Sequence, residues 1–254
     1  MPPVSPLMRW RQDNSSLSLA GISGPIHSQS LLLTVVSSPE VLAGTRVLFN
    51  NVPAPIIYAS SGQLSAAVPF SVVPKTRADV VVEYQGKRSP PVSIFVAASA
   101  PGLFTADGTG NGPAAVLNVD SSTGTVSLNT PQNPAPRGGI IVAYFTGAGQ
   151  TDPPSRDGLI ATDVARLAQR IEAGLDFYGP SNGRIENGQD STRCESPNCD
   201  PVQVLYAGPA PGLVAGVIQV NMRLPDSPSA RGTHSLGISV GGIWSQYYAT
   251  VSIR

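Results

Sequence analysis

The stretch Val202–Pro225, VQVLYAGPAPGLVAGVIQVNMRLP, is two short apolar runs joined by a Gly/Pro/Ala connector. An earlier stretch, Pro55–Pro69, PIIYASSGQLSAAVP, repeats its order with a shorter connector. Ile57-Tyr58-Ala59 aligns with Leu205-Tyr206-Ala207, and residues 63–69 (QLSAAVP) align with 219–225 (QVNMRLP). A self-similar unit constrains the fold before any other feature, because both copies must bury the same face. Runs this short, separated by Gly and Pro, are strand pairs rather than helices.

The rest of the composition agrees. Gly and Pro number 26 and 25 in 254 residues and are spread throughout, as many short strands and many turns require. Charged residues are only 13% and hydrophobic residues 41%, so a core can form and disorder is disfavoured. Lys+Arg and Asp+Glu balance at 16 each, with no basic stripe, which argues against nucleic acid and against an anionic membrane surface as partners. No run is long and apolar enough to span a bilayer. The opening MPPVSPLMRWRQDNSS lacks the apolar centre of a signal peptide. An extracellular or cell-surface location is therefore expected from composition and from the Cys pair, as for the C-terminal piece of a longer secreted protein.

In chain order, Ser16–Ile22 alternates like an edge strand, and Leu31–Val36, Thr45–Phe49, Ile56–Ala59 and Gln63–Val68 follow as strands. Asp79–Tyr84 and Val92–Val96 form a hairpin over Gln85-Gly86-Lys87. These strands read as a β-sandwich spanning 1–98. Residues 99–137 form a connector bearing a hairpin, Ala114–Val119 with Gly124–Leu128. The second unit, 138–254, opens with Ile140–Thr146. Asp163–Ala173 is the one helix-like segment, with Asp163 as cap and Gly174 as stop, although a strand pair fits it too. Leu175–Tyr178 aligns with Val47–Asn50, a loop insertion follows at 179–201, and Ser235–Val240 with Tyr247–Ile253 aligns with 80–96. The expectation is an all-β chain of two tandem sandwich units related by an internal repeat.

The segments GTRVLFNNVPAPIIYAS, VVVEYQGKRSPPVSIFVA, APGLFTADGTGNGPAAVLN, NPAPRGG, FTGAGQTDP and VLYAGPAPGLVAGVIQVNMRLP together resemble a domain family of unknown function. It occurs mainly at the C-termini of large secreted proteins of Acidobacteria, notably Solibacter-type genomes. The resemblance covers about Ala43 to Arg254. It implies immunoglobulin-like β-sandwich units, similar to the IPT/TIG group, and extracellular or cell-surface residence. It supplies no catalytic residues. The insertion around Cys194–Cys199 departs from the family, whose members run more directly between these strands.

Residue chemistry offers few sites. No G-x-S-x-G elbow is present, and His27 and His234 are the only histidines, which excludes a multi-histidine metal centre. His234 reads as a surface turn residue before a strand. Calcium is the better inorganic candidate: Asp107, Thr109 and Asn111 place oxygens at alternate positions of a Gly-rich loop, although the later bidentate Glu of a calcium loop is missing. Asp190, Glu195 and Asp200, with Glu186, form a second acidic set around Cys194 and Cys199, which are a disulfide staple or two reduced thiols. Asp152 and Asp157 are a weaker set. Tyr58, Tyr84 and Tyr206 read as core or cross-strand residues. Trp244, Tyr247 and Tyr248 cluster in the last hairpin, where exposed rings would stack on sugars and buried ones would be ordinary packing. The leading reading is a non-catalytic module for adhesion, binding an extracellular protein or a polysaccharide. The alternative is a calcium-dependent hydrolase of a small ester or lactone.

Overall fold

The computed structural model of the chain describes residues 7–13, 16–20, 38–176 and 201–254. Along the chain its strands are β1 (Leu7–Asp13), β2 (Ser16–Ala20), β3 (Thr45–Phe49), β4 (Val52–Pro53), β5 (Ile56–Ser60), β6 (Gln63–Ala67), β7 (Arg77–Tyr84), β8 (Lys87–Arg88) and β9 (Val92–Phe95). They continue as β10 (Gly102–Leu103), β11 (Gly112–Pro113), β12 (Val116–Val119), β13 (Val126–Leu128), β14 (Ile140–Thr146), β15 (Thr151–Asp152) and β16 (Arg166–Leu167). The last are β17 (Ile171–Leu175), β18 (Pro201–Pro209), β19 (Val217–Arg223), β20 (Gly232–Val240), β21 (Ile243–Trp244) and β22 (Ala249–Ile253). Two 3-10 turns, Phe70–Val72 and Pro228–Ala230, are the only helical pieces among the described residues, so the fold is all-β.

In the first half, the sheet β2-β1-β6-β5 lies over a sheet of β4, β3, β7, β8 and β9. Alternation puts Val47, Phe49, Val80, Val82 and Ile94 of one sheet against Ile56, Leu64 and Ala66 of the other in a single buried cluster. Fully burying a Val, Ile or Phe of this kind contributes about 1.5–3 kcal/mol. In the second half, β18 runs on from β17 to β19, so the two layers join into one long sheet. Its core sets Ile141, Phe145, Ile218 and Met222 against Leu175, Leu236, Ile238 and Val251. The halves touch where the Phe70 N–H donates to the Asp157 carboxylate (2.7 Å) and the Ser38 N–H donates to the Gly158 carbonyl (2.8 Å).

The two hairpins that share residue order also share strand register. Ile56 pairs with Ala66 and Tyr58 with Ser65, with an irregularity between them. Val204 pairs with Met222 and Tyr206 with Asn221, with the same irregularity at the matching place. Each hairpin thus bulges at the residue before its tyrosine, Ile57 or Leu205. β1 sits on β6 as β14 sits on β19 (Met8 opposite Ala66, Ile141 opposite Met222). β1 had no expected strand in the sequence. The turn Gln85-Gly86 between β7 and β8 corresponds to Gly241-Gly242 between β20 and β21.

One open choice is settled and one expectation is corrected. Asp163–Ala173 is not a helix: it supplies β16 and the start of β17, which pairs along its five residues with β20. A helix there would leave β20 with an unpaired edge, and the pairing also buries Ala173 and Leu175. Leu175 corresponds to Phe49 rather than to Val47, since Phe49 faces Val80 and Leu175 faces Leu236. Asp176 therefore stands where Asn50 does. Both take left-handed backbone (φ 48° and 49°), a conformation that Asn and Asp tolerate best among non-glycine residues.

Residues 99–137 are woven into the second half. β10 and β12 pair with β14, β13 pairs with β12, and β11 lies parallel to β22. Beyond β11 the outer edge of β22 is met by a buried side chain. Asn129 Nδ2 donates to the Ser252 carbonyl (2.9 Å) and to Asn118 Oδ1 (2.8 Å), while its Oδ1 accepts from the Ser252 N–H (2.9 Å). The amide substitutes for a strand residue. Asn129→Ala strips three buried partners at once and is expected to cost about 2–4 kcal/mol. Urea unfolding measures it, and a loss below about 0.5 kcal/mol would show that water replaces the amide at no cost.

Candidate functional site

Between β21 and β22, which pair with the same side of β20, the chain runs along the edge of that strand as Ser245–Tyr248, and hydrogen bonds fasten Ser245, Gln246 and Tyr248 there. The Ser245 N–H donates to the Ile238 carbonyl (2.8 Å), and the Ser245 hydroxyl accepts from the Ile238 N–H (3.1 Å). The Gln246 side chain brackets Leu103, accepting from its N–H (2.9 Å) and donating to its carbonyl (2.6 Å). The Tyr248 carbonyl accepts from the Gly112 N–H (2.8 Å). The segment holds two tyrosines out of the sheet, Tyr247 at 38% and Tyr248 at 66% exposure. Their ring centroids are 5.6 Å apart at 83°, an edge-to-face pair whose faces meet at right angles rather than forming one flat platform. Trp244 is half-buried on β21, opposite Ser239.

The turn that reaches Tyr248 through Gly112 is the Asp107 loop, so the structure brings two of the sequence-expected sites together. The Asp107 carboxylate accepts from the Thr109 N–H (3.0 Å), the Thr109 hydroxyl (2.9 Å) and the Thr105 hydroxyl (3.1 Å). The Thr109 N–H first, then its hydroxyl, hold this carboxyl below the usual carboxylate range. Thr109 Oγ1 also lies 3.0 Å from the Asn111 carbonyl. The Asn111 side chain is exposed and carries none of these bonds.

Asp190, Glu195, Asp200, Cys194 and Cys199 lie outside the described residues, as do Leu31–Val36, Glu186 and His27. Among the described residues no three His, Cys, Asp or Glu side chains converge as a metal group would require. Asp157 is used against Phe70, and Asp152 lies on β15. Tyr58 and Tyr84 are not core residues: they are 46% and 53% exposed. Tyr206 is half-buried, and that burial pushes its hydroxyl pKa up.

His234 corrects the sequence reading most. It lies within β20 rather than in a turn, its side chain is 13% exposed, and Nδ1 donates to Asp176 Oδ2 at 2.6 Å. Asp176 Oδ1 accepts from the Ser235 N–H (3.0 Å), as Asn50 Oδ1 accepts from the Asp79 N–H (3.0 Å) in the first half. The second half thus repeats the cap and adds an imidazole to the other oxygen, where Asn50 Nδ2 is buried without a partner. The His234 Nε2 is also buried and unpartnered. No sequence signal joins residues this far apart; only the repeat, read in the right frame, marks Asp176.

Two outcomes follow. His234→Ala leaves the second oxygen of Asp176 without its donor and is expected to lower stability by about 2 kcal/mol, while Asp176→Asn, which keeps the cap, costs about 1 kcal/mol; equal losses in thermal or urea unfolding would contradict the division of roles. For Asp107 the folded pKa is depressed, so its contribution is present above the ordinary carboxylate range and is lost as pH falls through the depressed value. Thr109→Val removes the hydroxyl donor, and the carboxyl titration followed by NMR should move up toward 3.8. An unmoved titration would mean that the hydroxyl is not a cause.

No helix among the described residues is long and apolar enough to cross a membrane. No protein-family model matches the chain, and no curated protein matches it. Among solved structures it is similar to surface layer protein SbsC, domains 4–9, at 14% identity and a TM-score of 0.20, over 96% of this chain and 26% of that one. It is also similar to the full extracellular region of plexin A4, at 11% identity and a TM-score of 0.21, over 85% of this chain and 24% of that one. The chain thus spans about a quarter of the length of each, and likenesses at these scores carry no argument about fold or function.

Proposed function

We propose that this chain is a non-catalytic extracellular module that binds glycan through the Tyr247–Tyr248 segment. The observation that carries the reading is the fastening of Ser245, Gln246 and Tyr248 to three different parts of the backbone. Exposed aromatics on a backbone already fixed by folding lose little freedom on binding, so contact energy is retained as affinity. Tyrosine rings suit sugars because an apolar face meets pyranose C–H groups while the hydroxyl stays hydrogen-bonded to water or ligand. The low charge of the chain and its resemblance to the C-terminal domains of secreted proteins support the extracellular setting.

Two features favour binding over hydrolysis. The Asp107 carboxylate is already occupied by threonine donors, and the free nitrogen of His234 is sealed from solvent, out of reach of a substrate. The test is affinity electrophoresis of the whole chain through gels containing a panel of soluble polysaccharides. Retardation by at least one of them, lost in Tyr248→Ala with the fold intact by circular dichroism, is expected. Unchanged mobility in every gel, or turnover of p-nitrophenyl esters above background, would overturn the reading.

A further inference from the structure

Resting on the reading that Tyr247–Tyr248 binds glycan, we infer that the ligand is an uncharged polysaccharide, with a sugar ring on Tyr248 and its hydroxyls on Asn111. Acidic sugars such as uronates are held by Arg and Lys, whose donors match a carboxylate. Residues 99–136 contain no Lys or Arg, and residues 232–253 contain no Lys, Arg, Asp or Glu. These two segments supply the aromatic pair, the turn that meets it and the strand edges beneath. Arg170 lies at the same end, since its carbonyl accepts from the Gly241 N–H, but its guanidinium is paired with Glu172 at 2.6 Å.

The charge that is present has the wrong sign for an acidic ligand. Asp107 is exposed, and its threonine donors keep it ionised, so an approaching carboxylate meets repulsion that neither of these two segments carries a Lys or Arg to offset. What the turn offers is neutral: the Asn111 side chain, with two N–H donors and a carbonyl acceptor in solvent. Asn111 adjoins Gly112, which donates to the Tyr248 carbonyl, so amide and ring are set on one fastened backbone. Space beside Gly112 is open, since a Cβ placed there meets no atom beyond its chain neighbours within 4 Å. Amide-to-hydroxyl bonds and a ring beneath a pyranose are the contacts a neutral sugar can use, and neither depends on salt.

The experiment compares hydroxyethyl cellulose and galactomannan with alginate and polygalacturonate, by affinity electrophoresis and calorimetry of the whole chain, at about 0.01 M and about 1 M salt. Binding to a neutral polymer, unchanged by salt, with affinity falling at least about tenfold in Tyr248→Ala and about threefold in Asn111→Ala, is expected. Tyr248-dependent binding to alginate or polygalacturonate that weakens with salt would overturn the neutral class and leave the glycan reading standing. Binding to none of the four polymers at either salt would overturn both.

Discussion

β22 is the last full-length strand at one end of the large sheet, flanked only by the two-residue β11, and the N–H and C=O groups along its outer side must be met by something other than another strand of full length. The chain meets them with pieces of residues 99–137: Gly112 and Ala114 donate to the Tyr248 and Thr250 carbonyls, Asn129 brackets Ser252, and Ala135 bonds to Ser252 and Arg254. An open edge is a template for pairing with another molecule, and closing it within the chain removes that hazard. The consequence reaches the surface. The same contact that begins the closure, at Gly112, also fixes the backbone from which Tyr248 projects.

The two copies of the repeat show what can vary while the pairing stays constant. Both hairpins bulge before the tyrosine, and both carry a left-handed Asn or Asp that caps the next strand over. At the cap, the first copy uses a neutral amide and the second a carboxylate with an imidazole on its far oxygen. A charge-assisted bond of this kind is stronger than a neutral one. The addition sits at the C-terminal end of β17, just before the loop insertion that the sequence places at 179–201. The first copy has no such departure, because β4 follows β3 after a two-residue turn.

Much of the site was legible as residues and little of it as geometry. Tyr247 and Tyr248 stand out in the sequence as an aromatic pair before a final strand, and the Asp107 loop stands out by its alternating oxygens and glycines. Their meeting rests on a two-residue parallel pairing, Gly112 and Pro113 opposite Ala249 and Thr250, between segments far apart in the chain. The choice between helix and strands over Asp163–Ala173, open in the sequence, is settled for a related reason: its local pattern suits either state, and the unpaired edge of β20 decides for strands. In the sequence His234, two residues after Gly232, looks like a turn residue until Asp176 is placed beside it.

What the sequence by itself determined is the class of fold. Short alternating runs, abundant Gly and Pro and few charges leave only β architecture, and the shared residue order of Pro55–Pro69 and Val202–Pro225 falls on two hairpins of matching register. What only the tertiary structure decided is which edges need covering and what covers them. Those contacts are backbone hydrogen bonds and single polar side chains such as Gln246 and Asn129, and a peptide group bonds in the same way whatever side chain it carries. Such contacts leave almost no trace in residue order, so the site they build is visible only once the chain has folded back on itself.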